Sequence, residues 1–448
     1  MAQVVTINAV TRIEGHARIR IRLDDSGTVD DARVEITALR GFEQFVVGRP
    51  AEEIPRIVSR ICGICPWMHH LAAARAIDGC FGVEPPRAGR LLRELCLVLA
   101  HIPDKILHFF FLAAPDFVLG ADCDYRVRNV IGLARQEPEL AARVARMRRL
   151  GQDMLARLGG KAVHPVAGVV GGFSRPLGRD ERRELLVDAA RLLDFGLFAL
   201  DFARERVLDQ CAAADQPGQV TTGFLGTVDE QGCLRLASGR LRLMRPDGTV
   251  REFAAEDYGH HLRELSEPWS LAKTVYAESW GEGFSLDPIA PRGVYRVNTL
   301  ARLNVCDCIG TPRAQAELQE FRARFGRPAQ ATLLHHWARL IELVYASERV
   351  AELLADDRIL DRDVRTPAVP RAGRGVGHVE APRGTLIHDY ETDGRGCITR
   401  ANLIVGTTHN VAAMNLSVRD AASRLICHGA CDETILNRIE MALRAYDP

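Results

Sequence analysis

Residues 52–81 read EEIPRIVSRICGICPWMHHLAAARAIDGCF, and this stretch decides how the rest of the chain is interpreted. Its apolar residues recur at spacings of three and four, which predicts a helix. Within it, Cys62 and Cys65 stand three positions apart, so both thiolates can reach one metal centre. Soft thiolates suit nickel, iron, copper or zinc. The stretch therefore predicts a helical segment that carries a candidate metal site.

Two other chemistries use a C-x-x-C pair, namely structural zinc sites and redox dithiols. A zinc site needs a second pair of Cys or His ligands, and the nearest candidate is Cys427 with Cys431, spaced as C-x-x-x-C. A redox dithiol needs a thioredoxin-like βαβ context, whereas the flanks here are helical. The spacing alone leaves both alternatives open, and the surrounding residues must decide.

Helical spacing continues through most of the chain and predicts a mainly α (α+β) fold with a helical bundle core. Beyond the first stretch, helices are expected at 87–112, 134–158, 178–209, 329–354 and 432–445. The N-terminal residues instead alternate between apolar and polar, which predicts an antiparallel β-meander within residues 1–45. Its strands are expected at Val4–Asn8, His16–Arg22 and Arg33–Leu39, with a turn at Asp24–Gly27.

Two smaller β excursions interrupt the helical pattern, at residues 219–300 and 375–405. In the first, Arg245–Gly248 reads as a turn between short apolar runs. In the second, Thr392–Gly396 separates GTLIHDYE from CITRANLIV. Because neither a repeat nor a long linker divides the chain, we expect residues 1–448 to form a single domain.

Composition argues against several classes of function. Basic and acidic residues number 58 each, so the balance of charge suggests no nucleic-acid partner. The start of the chain lacks the features of a signal peptide, and no run of about 18 apolar residues could span a bilayer. We therefore expect no direct membrane insertion and a cytoplasmic location.

Twelve cysteines in 448 residues are too dilute for a disulfide scaffold. In a reducing compartment they are expected to be thiols, with a few serving as metal ligands. Eight of them are expected to be buried hydrophobic thiols, namely Cys80, Cys96, Cys123, Cys211, Cys233, Cys306, Cys308 and Cys397.

Several longer motifs accompany the cysteine pair in a defined order. They are RIEGH (12–16), RGFE (40–43), RICGIC followed by His69, HFFFLAAPDF (108–117), GGKAVHPVAGVVGGFSRPL (159–177), YRVNTLARLN (295–304), EAPRGTLIHDY (380–390) and RAYDP (444–448). In these motifs the chain resembles the large subunits of nickel-iron hydrogenases. Within that family it is most similar to the cytoplasmic, methyl-viologen-reducing type that does not use the deazaflavin coenzyme.

The resemblance implies an enzyme that splits or makes H2 by heterolytic cleavage. In the family, four cysteines hold a nickel and an iron, and the iron carries carbon monoxide and cyanide. By match, Cys62 would be a terminal nickel ligand and Cys65 would bridge the two metals. Glu43 would bind a structural Mg²⁺ or Fe²⁺ ion, and His69 would orient a thiolate through a hydrogen bond. Electrons would leave through an iron-sulfur small subunit, with further electron-transfer subunits of the heterodisulfide-reductase type expected.

The same resemblance assigns the groups that act around the metals. Glu14 would relay the proton, because burial can raise the pKa of a carboxyl group toward the working range. Arg383, next to Pro382, would lie over the metals and act electrostatically, with Asp104 and Asp447 holding it in place.

The family's second metal-binding motif, D-P-C-x-x-C-x-x-H, is represented here only by Asp447 and Pro448. The favoured explanation is a UGA codon for selenocysteine directly after Pro448. Alternatives are a separate small polypeptide that carries the motif, trimming of the chain, and a metal-free relative comparable to the quinone-site subunit of respiratory complex I. Cys427 and Cys431 are not expected to substitute, because a predicted helix separates them from Pro448.

Overall fold

The structure is a computed structural model that describes residues 3–38, 40–213 and 216–448. Helices are its most abundant secondary structure. The helices are α1 (Phe42–Phe45), α2 (Ile54–Val58), α3 (Pro66–Phe81), α4 (Arg87–Ile106), α5 (Ala114–Val118), α6 (Val130–Gln136), α7 (Pro138–Gly159), α8 (Arg179–Arg206), α9 (Leu208–Ala212), α10 (Thr299–Val305), α11 (Pro312–Phe325), α12 (His335–Ala355), α13 (Gly406–Leu425) and α14 (Glu433–Arg444). A π-helical segment, Leu107–Ala113, joins α4 to α5.

The strands form several small sheets that pack against the helices. They are β1 (Gln3–Ile7), β2 (Ala17–Leu23), β3 (Val29–Ile36), β4 (Gly168–Val169), β5 (Gly172–Phe173), β6 (Gly223–Val228), β7 (Arg240–Met244), β8 (Val250–Phe253), β9 (Leu262–Ser266), β10 (Lys273–Ala277), β11 (Tyr295–Arg296), β12 (Gly373–Ala381), β13 (Gly384–Thr392) and β14 (Ile398–Ile404). The predicted mainly α (α+β) fold is confirmed.

The largest apolar core lies where α4, α7, α8 and α12 pack against one another. Helix α12 is buried on nearly every side, with Trp337 among its largest enclosed side chains. The expectation that no stretch is long and apolar enough to span a bilayer was wrong for Arg87–Val118, which is so by length and composition. However, 83% of its most apolar window is buried inside the protein. This stretch is therefore a core element of the bundle.

The predicted helix 52–81 is interrupted at the cysteine pair. Helix α2 ends at Val58, and Cys62 takes an extended conformation after a short 3-10 turn. Helix α3 then begins at Pro66, which fits the first helical position because proline has no amide hydrogen to leave unpaired there. The interruption turns the two cysteines into a loop at the start of a helix, instead of two positions within one.

Three glycines bring β12 directly against α3. A Cβ atom on Gly377 would lie 2.1 Å from the carbonyl oxygen of Ala72, and one on Gly375 would lie 1.9 Å from that of Ala76. Any side chain at these positions would therefore separate strand and helix. This close contact fixes the distance between the cysteine loop before α3 and the turn that follows β12, where Arg383 lies.

The N-terminal sheet has the antiparallel order β1-β2-β3, as predicted. Its inner face carries alternating side chains such as Ile19 and Ile21, and it packs against α13. The amide of Val34 donates to the side-chain oxygen of Asn415 at 2.9 Å, which joins sheet and helix. The predicted strand end at Leu39 lies outside the described residues.

Both predicted β excursions are present, and each is larger than a hairpin. In the first, β11 pairs in parallel with β6 and extends a β6-β7-β8 meander, while β9 and β10 form a separate pair. In the second, the predicted hairpin of β13 and β14 gains β12 as a third strand. Glycine occupies alternate positions at the start of β12. Because glycine is uncommon in strands, residue preferences did not predict this strand.

Further expectations from the sequence were wrong or incomplete. Helix α13 was not predicted, because it is buried on most sides and so lacks an apolar stripe. Among the eight cysteines expected to be buried thiols, Cys123 and Cys397 are only partly buried. Cys233 and Cys308 form a disulfide and are not free thiols. The turn after β6 brings them together across 75 residues, where the amide of Leu234 donates to the carbonyl of Cys308 at 2.8 Å. Spacing in the sequence cannot reveal such a contact.

Candidate metal centre

Cys62 and Cys65 open into a cavity of about 270 Å³, here called the cysteine cavity. Its walls come from the loop between β1 and β2, the cysteine loop, the turn between β12 and β13, the start of α13 and the last residue of the chain. Among the predicted site residues, those that line it are Glu14, Glu43, Cys62, Cys65, His69 and Arg383. Segments more than 300 residues apart in the sequence thus meet around the cysteines.

The two thiol groups are coupled by a hydrogen bond. Cys62 Sγ accepts the amide hydrogens of Cys65 at 3.1 Å and Ile64 at 3.4 Å. A hydrogen bond from Cys65, with the field of Arg383, lowers the pKa of Cys62 despite its burial. The same hydrogen bond and burial raise the pKa of Cys65 well above its usual value. Cys62 is therefore the first of the pair to become a thiolate.

Arg383 lies between two buried carboxylates at the edge of this cavity. Its NH1 group donates to Asp104 Oδ2 at 3.0 Å, and NH2 lies 3.2 Å from Asp447 Oδ1. Burial disfavours the charged guanidinium, but both carboxylates together raise the pKa of Arg383 well above its usual value. Burial also raises the pKa of Asp104. Arg383 is thus a permanent cation that faces the cysteines.

Replacing Arg383 with glutamine is expected to destabilise the protein, because it removes the cation that forms ion pairs with the buried Asp104 and Asp447. Loss of one partner from a buried ion pair costs about 3–5 kcal/mol. Denaturant unfolding of Arg383→Gln would measure this change in the free energy of unfolding. Arg395→Gln is the control, because Arg395 is 85% exposed and pairs only at the surface.

Adding Asp104→Asn to Arg383→Gln should recover part of the lost stability, since one of the two unpaired charges is then removed. A double variant that is no more stable than Arg383→Gln would contradict the assignment of Arg383 as the counter-charge of Asp104.

Glu14 is in the loop between β1 and β2, and its Oε1 atom accepts a long hydrogen bond of 3.7 Å from Cys62 Sγ. Arg12 anchors this loop from an unusual backbone conformation with φ of +54°. Its guanidinium donates to the carbonyl of Leu112 at 2.8 Å and also pairs with Asp116. The loop that carries Glu14 is therefore tied to the bundle.

His69 begins a buried chain of hydrogen bonds that sequence reasoning missed. Its Nδ1 atom lies 3.2 Å from His388 Nε2, and His388 Nδ1 lies 2.9 Å from the hydroxyl of Tyr390. Burial lowers the pKa of His69 to about 3, so the imidazole is neutral. His388 and Tyr390 alternate along β13, and recognising that this strand is buried on both faces would have found them.

This chain of contacts selects a tautomer for His69. Within the described part of the protein, the Tyr390 hydroxyl has only His388 as a hydrogen-bond partner. A buried hydroxyl donates its proton when an acceptor is present, so His388 accepts at Nδ1 and donates from Nε2. His69 then accepts at Nδ1 and carries its own proton on Nε2. The assigned role of His69 beside a thiolate stays a prediction.

Glu43 also lines the cysteine cavity, but cations and an amide surround its carboxylate. Oε1 accepts from the amide of Leu403 at 3.0 Å and from Lys273 Nζ at 3.5 Å, while Oε2 pairs with Arg40. These partners lower the pKa of Glu43 despite its burial. Pro382 is buried in the turn between β12 and β13, where its carbonyl accepts from Arg302 at 3.4 Å.

The donor set of the cavity fits half of a thiolate-bound metal centre. Within residues 3–38, 40–213 and 216–448, no group of three or more His, Cys, Asp or Glu side chains is arranged to hold a metal ion. Buried polar atoms without a hydrogen-bond partner nevertheless gather here, namely Arg383 Nε and NH2, Asp104 Oδ1, and both carboxylate oxygens of Asp447. Two soft thiols and these polar atoms suit a metal group with polar ligands.

The alternative cysteines lie elsewhere. Cys427 is exposed in the loop between α13 and α14, and Cys431 is partly exposed there. Helix α14 has 12 residues, so this loop is about 18 Å along the helix axis from the end that leads to Asp447.

Known proteins resemble this chain along its full length. A family profile described as Nickel-dependent hydrogenase matches residues 40–125, and one described as HoxL-like matches residues 4–39. The chain is 45% identical to one subunit of the F420-non-reducing hydrogenase vhu of Methanococcus voltae, over 94% of this chain and 98% of that protein. It is 38% identical to NAD-reducing hydrogenase HoxS subunit beta of Cupriavidus necator, over 100% of this chain and 94% of that protein.

A solved structure agrees with these sequence relatives. The crystal structure of an NAD+-reducing NiFe-hydrogenase in the H2-reduced state matches this chain with a TM-score of 0.92 at 40% identity. The match covers 100% of this chain and 98% of that one.

Proposed function

Because the chain belongs to the large subunits of nickel-iron hydrogenases, we propose that the cysteine cavity is where it catalyses the reversible cleavage of H2. The observation that carries this proposal is the meeting of Cys62, Cys65, Glu14 and Arg383 at one cavity. The relatives of this chain are hydrogenases. They do not favour the alternative of a metal-free scaffold comparable to the quinone-site subunit of respiratory complex I.

The family implies a nickel-iron centre, and we assign Cys62 as a terminal nickel ligand and Cys65 as a bridge to iron. When bound, the metal pair supplies the electron-rich centre at which H2 is split. The unpartnered N–H groups of Arg383 suit cyanide on the iron, which would carry carbon monoxide as well. Glu43 would bind a structural Mg²⁺ or Fe²⁺ ion, for which Lys273 and Arg40 would have to move away.

The protein's own groups handle the proton and the charge. Glu14 can receive a proton that leaves Cys62, because its carboxylate lies 3.7 Å from that sulfur. Arg383 remains protonated, and Asp104 and Asp447 keep it beside the thiolates. His69 lines the cavity and carries its proton on Nε2, so its role is to orient a thiolate by donating this hydrogen. Pro382 shapes the turn that presents Arg383.

Two further soft ligands are needed, and the described residues supply none beside Cys62 and Cys65. We propose that two further soft ligands, one of them a selenolate, complete the centre in the assembled enzyme. Nickel, iron and selenium analysis of the purified complex tests this. Selenium present together with both metals supports the selenolate, and a metal-loaded complex without selenium contradicts it.

Relatives named as subunits of larger hydrogenases imply a multi-subunit enzyme. We propose that electrons leave through an iron-sulfur small subunit that docks near the cysteine cavity, with further electron-transfer subunits of the heterodisulfide-reductase type. We propose a cytoplasmic location for the complex and a single domain for this chain.

Replacing Glu14 with glutamine tests the proton relay. Loss of a positioned acid–base group lowers a rate by about 10²–10⁴-fold, so H2-dependent methyl viologen reduction should fall by that factor. Nickel and iron content should stay unchanged, because Glu14 is not a proposed ligand. Glu52→Gln is the control, since Glu52 is exposed outside the cavity. Full activity in Glu14→Gln would exclude this residue as the relay.

A further inference from the structure

A second and larger cavity lies on the far half of α3. It has a volume of about 810 Å³, shares no lining residue with the cysteine cavity, and is here called the arginine cavity. Its walls come from α3, the first turns of α4, β12 and the loop before β7. Its charged lining residues are Arg75, Arg87, Arg90, Arg93 and Arg240 together with Asp78, Glu94 and Glu256.

The carboxylates in and around this lining neutralise only some of its arginines. Asp78 forms an ion pair with Arg93, whose NH1 group donates to Asp78 Oδ2 at 2.5 Å. Glu94 is paired at 2.8 Å with Arg349, which is outside the lining of this cavity. Glu256 is the remaining carboxylate, and it is exposed at the surface. Outside the lining, Glu84 pairs with Arg90 at 2.6 Å and Glu252 pairs with Arg240 at 3.5 Å. Arg75 and Arg87 form no ion pair within 4 Å among the described residues, so the cavity keeps an excess of positive charge.

Arg75 is the most enclosed of the unneutralised arginines. Its NH1 group donates to the backbone carbonyl of His378 at 3.1 Å, and among the described residues it forms no ion pair within 4 Å. Burial lowers the pKa of Arg75 to about 10. Arg75 is partly buried, and a guanidinium with restricted access to water and no ion-pair partner among the described residues favours binding of an anion.

The start of α4 adds to the positive potential. This helix has 20 residues, begins after Pro86 without a side-chain cap, and has no acidic residue in its first turn. Unpaired amide groups at a helix start carry a partial positive charge and attract anions. Arg87 and Arg90 lie in this same turn and line the cavity. His378, also in the lining and 7% exposed, has a buried Nε2 atom without a hydrogen-bond partner.

From these contacts we propose that the arginine cavity binds a small ligand with at least two anionic oxygen groups, of the phosphate or carboxylate type. Its volume is in the range of about 300–1,000 Å³ that is typical of small-molecule sites. No Phe, Tyr or Trp side chain is among the described lining residues, and charged groups dominate the polar part of the lining. Guanidinium groups bind phosphate and carboxylate oxygens in pairs, which matches two-charge anions.

Calorimetry of the purified hydrogenase complex tests this binding, with inorganic pyrophosphate and citrate as probes and potassium chloride at equal ionic strength as the blank. We expect at least one probe to bind with a dissociation constant of about 1 mM or tighter. Binding of pyrophosphate alone identifies a phosphate site, and binding of citrate alone identifies a carboxylate site.

Substitutions of Arg75 and Arg240 test whether the anion binds in the arginine cavity. Loss of a charge-assisted hydrogen bond weakens binding by roughly 10- to 100-fold. We expect Arg75→Gln to raise the dissociation constant of the probe by this factor. Arg240→Gln is the second variant, because this side chain is half exposed and its loss should not impair folding. Arg395→Gln, outside the cavity, should bind like the parent protein. The proposal is overturned if neither probe binds, or if both cavity variants bind unchanged.

Discussion

Cys65→Ala is expected to leave the protein without nickel and to lower H2 oxidation by on the order of 10³-fold or more, because metal and catalysis are lost together. Cys65 is 5% exposed, opens into the cysteine cavity and shares a hydrogen bond with Cys62. Removing one of two thiolates leaves a single soft ligand in the cavity. Metal analysis and H2-dependent viologen reduction of the purified complex measure both effects.

Cys96→Ala is the matched control for this experiment. Cys96 is also a buried thiol, fully enclosed on α4, and the substitution removes the same atom. It should keep its metal and most of its activity. A Cys65→Ala protein that retains nickel and iron at the parent's level would refute the assignment of the cysteine cavity as the metal site.

Acid is expected to unfold this protein steeply, because nine of its fourteen histidines are buried. They are His69, His70, His101, His108, His335, His336, His378, His388 and His409. Burial lowers their pKa values, to about 3 for His378 and His409 and to about 4 for His70. In the unfolded chain, a histidine takes up its proton near pH 6.5.

The sign of the pH effect follows from this difference. Above about pH 6.5 the histidines are neutral in both states, so their contribution to stability is fully present. As the pH falls toward 4, the unfolded chain binds protons that the native protein cannot accept. Each such histidine then lowers the free energy of unfolding by about 1.4 kcal/mol per pH unit.

Denaturant unfolding at pH 7.5, 6.5 and 5.5 would measure this loss, which should reach several kcal/mol between about pH 6.5 and 5.5. His409→Gln should reduce the slope by about one proton, because His409 is fully buried. His260→Gln is the control, since His260 is exposed. A free energy of unfolding that does not change over this range would contradict the neutral, buried state of these side chains.

Local patterns predicted the helices with ordinary amphipathic spacing. Helix α8, predicted at 178–209, runs from Arg179 to Arg206, and α14, predicted at 432–445, runs from Glu433 to Arg444. Such helices present an apolar stripe to the core, so their period is visible in the sequence. Helix α13 has no such stripe, and β12 has glycine where a strand usually has a bulky residue. For both elements, packing against neighbours replaces the local signal.

The site was predicted in a similar, partial way. The C-x-x-C spacing identified a candidate metal site from the residues themselves, whereas the roles of Glu14 and Arg383 came from the resemblance of longer motifs. Neither route found His388 or Tyr390. His388 contacts His69 across 319 residues of sequence, and Tyr390 joins this chain of hydrogen bonds through His388. A histidine in a strand gives no local indication of its partner.

By itself, the sequence determined the class of fold, the cysteine pair and the family, because helical period, ligand spacing and ordered motifs are local properties of the chain. Only the tertiary structure decided which side chains meet. The glycines of β12 let it approach α3, and this contact helps to bring Arg383 and the cysteines to one cavity. Arg75 lines its cavity without an ion-pair partner among the described residues, and a contact between other distant segments joins Cys233 to Cys308. Contacts of this kind depend on how distant segments pack, and no local pattern encodes them.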